Sequence, residues 1–152
     1  MTDTAARAAV LRDAMHAAVT GDEAVIERVY TADVSGWSPV MEVVCRDDLA
    51  ADVRGRAGAF SEIDLTLDPV DAVGDKLIAE WLVAVTHTGL LTLDEELALE
   101  PTGRRIELRG VVIAEFEGDR IRRFRQYWNE VELLDGLGLL PALGGGAPPG
   151  WR

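Results

Sequence analysis

The chain has 152 residues, the usual size of one domain, and its 48% hydrophobic against 28% charged residues is the balance of a globular rather than a disordered protein. Its formal net charge of −12 repels phosphate backbones and anionic lipid, which excludes nucleic acid and membrane as expected partners. One cysteine, Cys45, allows no intrachain disulfide, and the absence of a signal peptide or a long apolar run predicts a cytoplasmic protein.

The first third of the chain is predicted to be mainly helical. Apolar residues recur at helical spacing in three segments, 4–19, 23–30 and 47–59. Gly21 is expected to end the first helix and Asp22 to cap the second, while Asp47 or Asp48 is expected to cap the third. The mixed stretch 32–44 between the second and third helices predicts a short, irregular pair of strands.

From residue 61 the period of the apolar residues changes to two, which indicates strands. Four long strands are predicted, over 61–68, 77–88, 104–116 and 120–128. Pro69 and Gly74-Asp75 mark the first turn, and Glu117-Gly118-Asp119 is a hairpin signal. The acidic stretch 90–103 is predicted to be a loop. A short helix over 131–139 completes a single domain of residues 1–141, before a flexible Gly/Pro-rich tail over 142–152.

This order of elements predicts an α+β fold, with helices on one face of a curved antiparallel sheet. The strand 77–88 is apolar on both faces, so both faces need a cover. The N-terminal helices cover one face. A second copy of the chain is expected to cover the other, which predicts a homodimer through the outer face of the sheet.

Five short motifs, in this order and spacing, resemble the SnoaL-like polyketide cyclases of the nuclear transport factor 2-like superfamily. They are Thr86-His87-Thr88-Gly89, the run 103–111, Gly118-Asp119-Arg120-Ile121, Gln126-Tyr127-Trp128-Asn129, and Leu133-Leu134 followed by the run 137–141. The resemblance covers residues 9–141.

The resemblance implies a cone-shaped curved sheet wrapped on the N-terminal helices, with a pocket for one small apolar molecule. Cyclases of this family close rings by intramolecular aldol reactions without metal or organic cofactor, using an acid/base pair on the inner face of the sheet. The implied function is a cofactor-independent cyclase or isomerase acting on a small apolar oxygenated substrate such as a polyketide. A non-catalytic binding protein of the same fold is the alternative.

At the positions where related enzymes carry acid/base groups, this sequence has Val112, Gln126 and Ser38, and Asn129 stands where an aspartate often follows Tyr-Trp. None of these side chains takes a proton near neutral pH. These substitutions favour the binding alternative. No metal site is predicted either, because two histidines 71 positions apart and one cysteine do not form a ligand set.

The register of the last two strands decides which side chains face the pocket. A three-residue hairpin turn places Val112 and Ala114 on one face with Phe124, Gln126 and Trp128. A two-residue turn would replace the last three by Ile121, Arg123 and Arg125. The first register is preferred because it pairs apolar with apolar residues.

Three candidate catalytic residues follow, His87, Gln126 and Tyr30. His87 shares a strand face with Trp81, and its free pKa of about 6.5 suits a general base. Its alternative role is a strand-end histidine that hydrogen-bonds the loop. Gln126 and Tyr30 would position substrate oxygens, although Tyr30 also suits a plain core position.

The predicted substrate-binding residues form an apolar wall with one amide. Tryptophan rings shape cavities for flat apolar ligands and carry one N–H donor each, and plain core filling is the alternative. The predicted set is Trp37, Trp81, Val83, Val112, Phe124, Trp128 and Asn129.

Overall fold

A computed structural model describes residues 4–93 and 95–140. Three helices, α1 (Thr4–Thr20), α2 (Glu23–Val29) and α3 (Arg46–Arg54), precede most of the sheet, and α4 (Glu130–Gly136) follows it. The predicted tail over 142–152 lies outside the described residues.

Six strands form the main sheet, in the order β2-β1-β8-β7-β4-β3. Their bounds are β1 Tyr30–Ser38, β2 Met41–Val43, β3 Phe60–Val73, β4 Lys76–His87, β7 Arg105–Glu117 and β8 Arg120–Trp128. The four long strands β3, β4, β7 and β8 pair antiparallel as predicted. The sheet is nevertheless mixed, because β1 pairs parallel with β8. The α+β prediction is therefore confirmed, with one parallel pair added.

Two of the three predicted helix-boundary signals, Gly21 and Asp22, are confirmed. Gly21 ends α1 with φ of 75°, and its N–H donates to the carbonyl of Ala17 at 2.8 Å. The Asp22 carboxylate caps α2 by accepting from the N–H of Val25 at 3.3 Å. The predicted cap of α3 is wrong. Cys45 is the N-cap and makes no side-chain cap bond, while Asp48 lies in the first turn and accepts from the N–H of Val44.

Two turn predictions need correction. Pro69 lies inside β3, where an edge strand tolerates a residue without an N–H, and the register shifts between Pro69 and Asp71. The stretch 90–103 is not all loop, because β5 (Leu91–Thr92) and β6 (Ala98–Leu99) form a small hairpin. That hairpin is fastened to the end of α3 where the N–H of Thr92 donates to the carbonyl of Gly55 at 3.0 Å.

The β7–β8 hairpin reaches the preferred register by an unexpected route. Its turn holds two residues, since Glu117 pairs with Arg120. A β-bulge then shifts the register between Glu115 and Phe116, which inserts one residue on the β8 side. The three-residue turn was wrong, but the bulge restores the predicted face. Ile121 and Phe124 are both buried as a result.

Within the described chain no helix covers the outer face of the sheet, which carries both apolar and charged side chains. Trp37 packs on Tyr127 with ring centroids 5.5 Å apart. Nearby, Glu115 lies within 3.7 Å of both Arg122 and Arg123. A surface with both charge signs and aromatic rings suits an interface between identical copies. The homodimer through this face stays a prediction.

No helix among the described residues has the length and apolar character needed to cross a membrane.

Candidate functional site

The inner face of the sheet is divided into a packed half and an open half. The packed half holds buried residues that fill the space under α1 and α2, namely Leu77, Ala79, Val112, Ala114, Phe116, Ile121 and Phe124. The open half, toward the ends of β4 and β8, encloses a cavity of about 450 Å³. This volume lies within the range of small-molecule sites, roughly 300–1,000 Å³.

Side chains from every layer of the fold line this cavity. The four long strands supply much of the lining, with Phe60 and Leu65 from β3, Trp81, Val83 and Val85 from β4, Ile106 and Leu108 from β7, and Gln126 and Trp128 from β8. The lining also includes Leu91 and Leu93 of the hairpin segment, Met41 of β2, and Leu133, Leu134 and Leu137 of the C-terminal helical segment. The wall is mainly apolar, so binding there is expected to rest on burial of apolar surface.

The amide of Gln126 is the fixed polar group of the floor. Its Oε1 accepts a hydrogen bond from Nε1 of Trp81 at 3.0 Å, and its Nε2 lies 3.0 Å from Sδ of Met15. An indole N–H only donates, so it fixes which end of the amide faces Trp81. One amide N–H and one carbonyl lone pair of Gln126 stay available to a ligand. Gln126 is thus a pre-oriented partner for a substrate oxygen.

Gly110 allows the two cavity tryptophans to lie on either side of β7. In register it lies between Trp81 of β4 and Trp128 of β8. A Cβ at this position would come within 2.6 Å of the Trp81 ring. The missing side chain therefore makes room for the indole on the cavity floor.

Four of the predicted site residues line the cavity, Trp81, Val83, Gln126 and Trp128. Two others, Val112 and Phe124, lie on the predicted face but in the packed half of the inner sheet. The alternation of a strand sets the face of a residue and not how far along the strand the cavity extends.

Two residues of the predicted substrate-binding set, Trp37 and Asn129, do not line the cavity. Trp37 is 42% exposed and lies on the outer face against Tyr127. Its parallel partner in register is Arg125, which is also an outer-face residue. Asn129 is the N-cap of α4, where its Oδ1 accepts from the N–H of Val131 at 2.9 Å. Its amide therefore stabilises a helix start and does not belong to the lining.

His87 is fully buried and lies beyond the cavity lining. Its Nδ1 accepts from the N–H of Thr102 at 3.2 Å and lies 3.0 Å from the Thr102 hydroxyl. An Nδ1 that accepts places the proton of the neutral ring on Nε2, and Nε2 has no partner among the described residues. Its ring packs on Phe60, which does line the cavity. These contacts match the alternative role, a histidine that fastens the strand end to the loop.

Tyr30 is buried against Phe124, with ring centroids 5.7 Å apart, and does not line the cavity. Burial raises the pKa of its phenol well above the ordinary value, and the Arg56 guanidinium opposes this shift only in part. Tyr30 therefore stays neutral throughout the physiological range. It matches the core-tyrosine alternative.

We expect Tyr30→Phe to change the alkaline stability of the protein. The folded-state pKa is raised, so the phenol's contribution is complete below the unfolded pKa of about 10 and is lost as the pH rises through the folded value. Between pH 10 and 11 the wild type should lose up to about 1 kcal/mol more unfolding free energy than Tyr30→Phe.

Urea unfolding at several pH values measures this difference. The matched control is Tyr127→Phe, because Tyr127 is exposed on the outer face and should keep the wild-type slope. Identical slopes for the wild type and Tyr30→Phe would contradict the assignment.

The sequence interpretation missed one charged pair in the cavity wall, Asp52 and Arg56. Nη2 of Arg56 donates to Oδ2 of Asp52 at 2.7 Å, and Nε of Arg56 donates to the carbonyl of Ala18. The available signal was their i,i+4 spacing at the end of the third predicted helix. Ser38 also lines the cavity, although its hydroxyl accepts from the N–H of Val40 and shapes the β1–β2 turn.

A second depression, between α1, α2 and β3, is polar and open. Charged groups form much of its rim, including Arg12, Asp13, His16 and Arg28, and Arg28 lies 3.8 Å from Asp13. In the described ranges, no three side chains of the kinds that bind metals come together. The apolar cavity is therefore the better candidate for a ligand site.

Comparison with known proteins gives a family and several structural relatives. A sequence model of the SnoaL-like domain matches residues 11–124. No curated protein matches the sequence significantly.

Many solved structures share the fold, and three of them serve as examples. TsrD from Streptomyces laurentii has a TM-score of 0.72 at 19% identity, covering 92% of this chain and 100% of its own. AclR from Streptomyces galilaeus, a candidate hydroxylase, has a TM-score of 0.71 at 24% identity, covering 91% and 100%. IdmH from Streptomyces antibioticus, a candidate polyketide cyclase, has a TM-score of 0.67 at 16% identity, covering 87% and 98%. At these identities the likeness shows a common fold.

Proposed function

Because this chain belongs to the SnoaL-like domain family, we propose that it is a cofactor-independent cyclase or isomerase acting on a small apolar oxygenated molecule such as a polyketide. The observation that carries the proposal is the apolar cavity of about 450 Å³ with the oriented amide of Gln126 on its floor. The fold shared with IdmH, a candidate polyketide cyclase, is consistent with it.

The wall and the amide have separate tasks in this proposal. Trp81, Trp128 and the leucines of α4 bury the hydrocarbon part of the substrate and confine its conformation. Confinement alone accelerates a ring closure, because reacting atoms held near each other need less entropy loss in the transition state. Gln126 donates its free N–H to a carbonyl oxygen, which fixes the orientation of the substrate.

Non-catalytic binding is the second candidate, and one observation favours it. The inner-face positions at which family enzymes carry their acid/base pair hold Val112 and Gln126, and His87 lies beyond the cavity. A binding protein would return its ligand chemically unchanged. Mass spectrometry of the compound recovered after incubation separates the two candidates.

We expect Val83→Phe to weaken ligand binding at least tenfold, because the added ring occupies the cavity that the guest must fill. The control is Leu82→Phe, whose side chain leaves the same strand on the opposite, exposed face. Titration with the neutral bicyclic ketone 2-tetralone, followed by tryptophan fluorescence, measures both affinities. Thermal unfolding shows that both variants are folded. Equal affinity in the two variants would contradict a ligand site in the cavity.

A further inference from the structure

One charged pair interrupts the apolar wall of the cavity. The ionisable residues among the described lining are Asp52, Arg56 and Glu130, and Glu130 is exposed in the first turn of α4. Asp52 and Arg56 are joined at 2.7 Å and are 28% and 27% exposed. A carboxylate and a guanidinium therefore line the cavity side by side.

The pair is held from two sides. Asp52 lies in the last turn of α3, and Arg56 follows in the turn after that helix. Nε of Arg56 donates to the carbonyl of Ala18 in the last turn of α1, which fixes the guanidinium between two helices. Of the polar atoms, Oδ1 of Asp52 and Nη1 of Arg56 take part in no hydrogen bond among the described residues. One acceptor and one donor group of the pair therefore stay available to a ligand.

We propose that Asp52 and Arg56 form the proton-transfer pair of this cavity and that the substrate is an uncharged ketone. The inference rests on the proposed function, because it names the groups that act at that site. The pair combines a base that takes a proton with a cation that stabilises the charge produced. Each of the two effects accelerates the enolisation of a carbonyl compound.

The reaction is balanced without a cofactor. Oδ1 of Asp52 takes a proton from the carbon next to the substrate carbonyl, and the C–H electron pair forms the C=C bond of an enolate. The carbonyl π electrons move to oxygen, whose negative charge is stabilised by Nη1 of Arg56. In a cyclisation the C=C electron pair of the enolate forms a C–C bond to a second carbonyl carbon of the same molecule, the first C=O bond re-forms, and the π electrons of the second carbonyl move to its oxygen. The new alkoxide takes the proton back from Asp52. In an isomerisation the substrate is a β,γ-unsaturated ketone, whose dienolate takes the proton back from Asp52 at the γ carbon, so that the C=C bond moves next to the carbonyl that re-forms.

The net charge of the pair determines the substrate class. Asp52 neutralises Arg56, so the cavity offers no excess positive charge to an acid. The chain as a whole carries −12, which disfavours the approach of anions. A neutral ketone avoids both penalties and develops its negative charge only beside Arg56. Neutral ketones are therefore preferred to apolar acids of equal size.

The experiment follows hydrogen exchange in 2-tetralone. Its carbons next to the carbonyl take up deuterium from D₂O when a base removes a proton, and NMR measures the rate above that of buffer. We expect wild-type protein to accelerate exchange and Asp52→Asn to lower the protein-dependent rate about 100-fold, the lower end of general-base effects. Asp47→Asn, an exposed carboxylate in the first turn of the same helix, should keep the wild-type rate.

Three further variants guard against a purely structural effect. Arg56→Lys keeps a cation and should retain more exchange activity than Arg56→Gln. The double variant Asp52→Asn with Arg56→Gln leaves no unpaired charge, so it reports on chemistry if a single variant fails to fold. A pair that only joins α3 to α1 would change thermal stability and leave the exchange rate per folded molecule unchanged.

Binding is measured in parallel by tryptophan fluorescence, with 2-naphthoic acid as the acidic probe of equal ring size. Binding of 2-tetralone without accelerated exchange would overturn the proton-transfer pair and leave the ligand site in place. Exchange that survives in Asp52→Asn would do the same. Tighter binding of 2-naphthoic acid than of 2-tetralone would overturn the substrate class. No binding of either probe would overturn the proposed function together with this inference.

Discussion

Phe116→Ala is expected to lower the unfolding free energy by about 3–5 kcal/mol, the usual loss for a fully buried phenylalanine. Phe116 is 2% exposed in the packed half of the inner face, and the Arg7 guanidinium covers its ring at 5.0 Å. Removal of the ring leaves a void that the surrounding strands cannot close. Urea unfolding measures the loss.

Leu108→Ala is the matched control for that variant, since the same strand carries both residues. Leu108 is half-buried and already faces the cavity, so it has fewer partner atoms to lose. We expect a loss of about 1 kcal/mol, as for partial burial of two or three methylene groups. Equal losses at positions 108 and 116 would mean that the inner face is filled along its whole length.

The second large effect is expected at Gly89, where the loop begins that carries the β5–β6 hairpin. A Cβ there would lie 1.9 Å from the carbonyl oxygen of Gly58, a backbone atom that cannot rotate away. The N–H of Gly89 also donates to Ala59 at 3.0 Å, so the two segments are held close together. Gly89→Ala should lower the unfolding free energy by about 3 kcal/mol or more, at or above the usual cost of overpacking.

Gly103→Ala provides the comparison, because Gly103 has φ of 70° but open space around the position of a Cβ. Its expected loss of about 1–2 kcal/mol reflects backbone strain alone. Displacement of the loop at Gly89 also moves Leu91 of β5, so 2-tetralone should bind Gly89→Ala more weakly than Gly103→Ala. A Gly89→Ala variant as stable as Gly103→Ala would show that the two segments are not packed as described.

The sequence predicted the elements well because local periodicity carries most of that information. Alternating Ile63, Leu65 and Leu67 defined β3, and the cap at Asp22 was visible from residue type alone. The bulge beside Glu115 could not be predicted from the sequence, because packing across the sheet, and not a local residue pattern, determines where a bulge forms. The parallel pairing of β1 with β8 was also missed, because it joins segments almost ninety positions apart and no local pattern indicates such a contact.

The sequence predicted the candidate site only where the alternation of a strand decides which side chains face inward. Trp81, Val83, Gln126 and Trp128 were found because alternation along β4 and β8 places them on the inner side. Trp37 was misplaced because its face depends on how β1 meets β8, and no local pattern encodes that contact. His87 was expected in the cavity wall because it lies on the same face of β4 as Trp81. It is fully buried, however, and lies just beyond Val85, the last residue of β4 in the lining.

For Asp52 and Arg56 the sequence showed the ion-pair spacing but not the location of the pair. Their spacing was visible, yet an i,i+4 ion pair near a helix end is common on protein surfaces and by itself adds about 0.3–0.5 kcal/mol. Only the fold shows that this pair lines the cavity. Chemistry carried by a helix end near a pocket is thus harder to predict than chemistry carried by strands.

The most direct measurement for a guest site in the open half of the inner face is a set of intermolecular NOEs between bound 2-tetralone and the methyl groups of the protein. NOEs to Val83, Leu108 and Leu133, with none to Leu82 or Val111 on the outer face, are the predicted result. NOEs confined to the outer face, or to the polar depression beside Val25, would contradict the account.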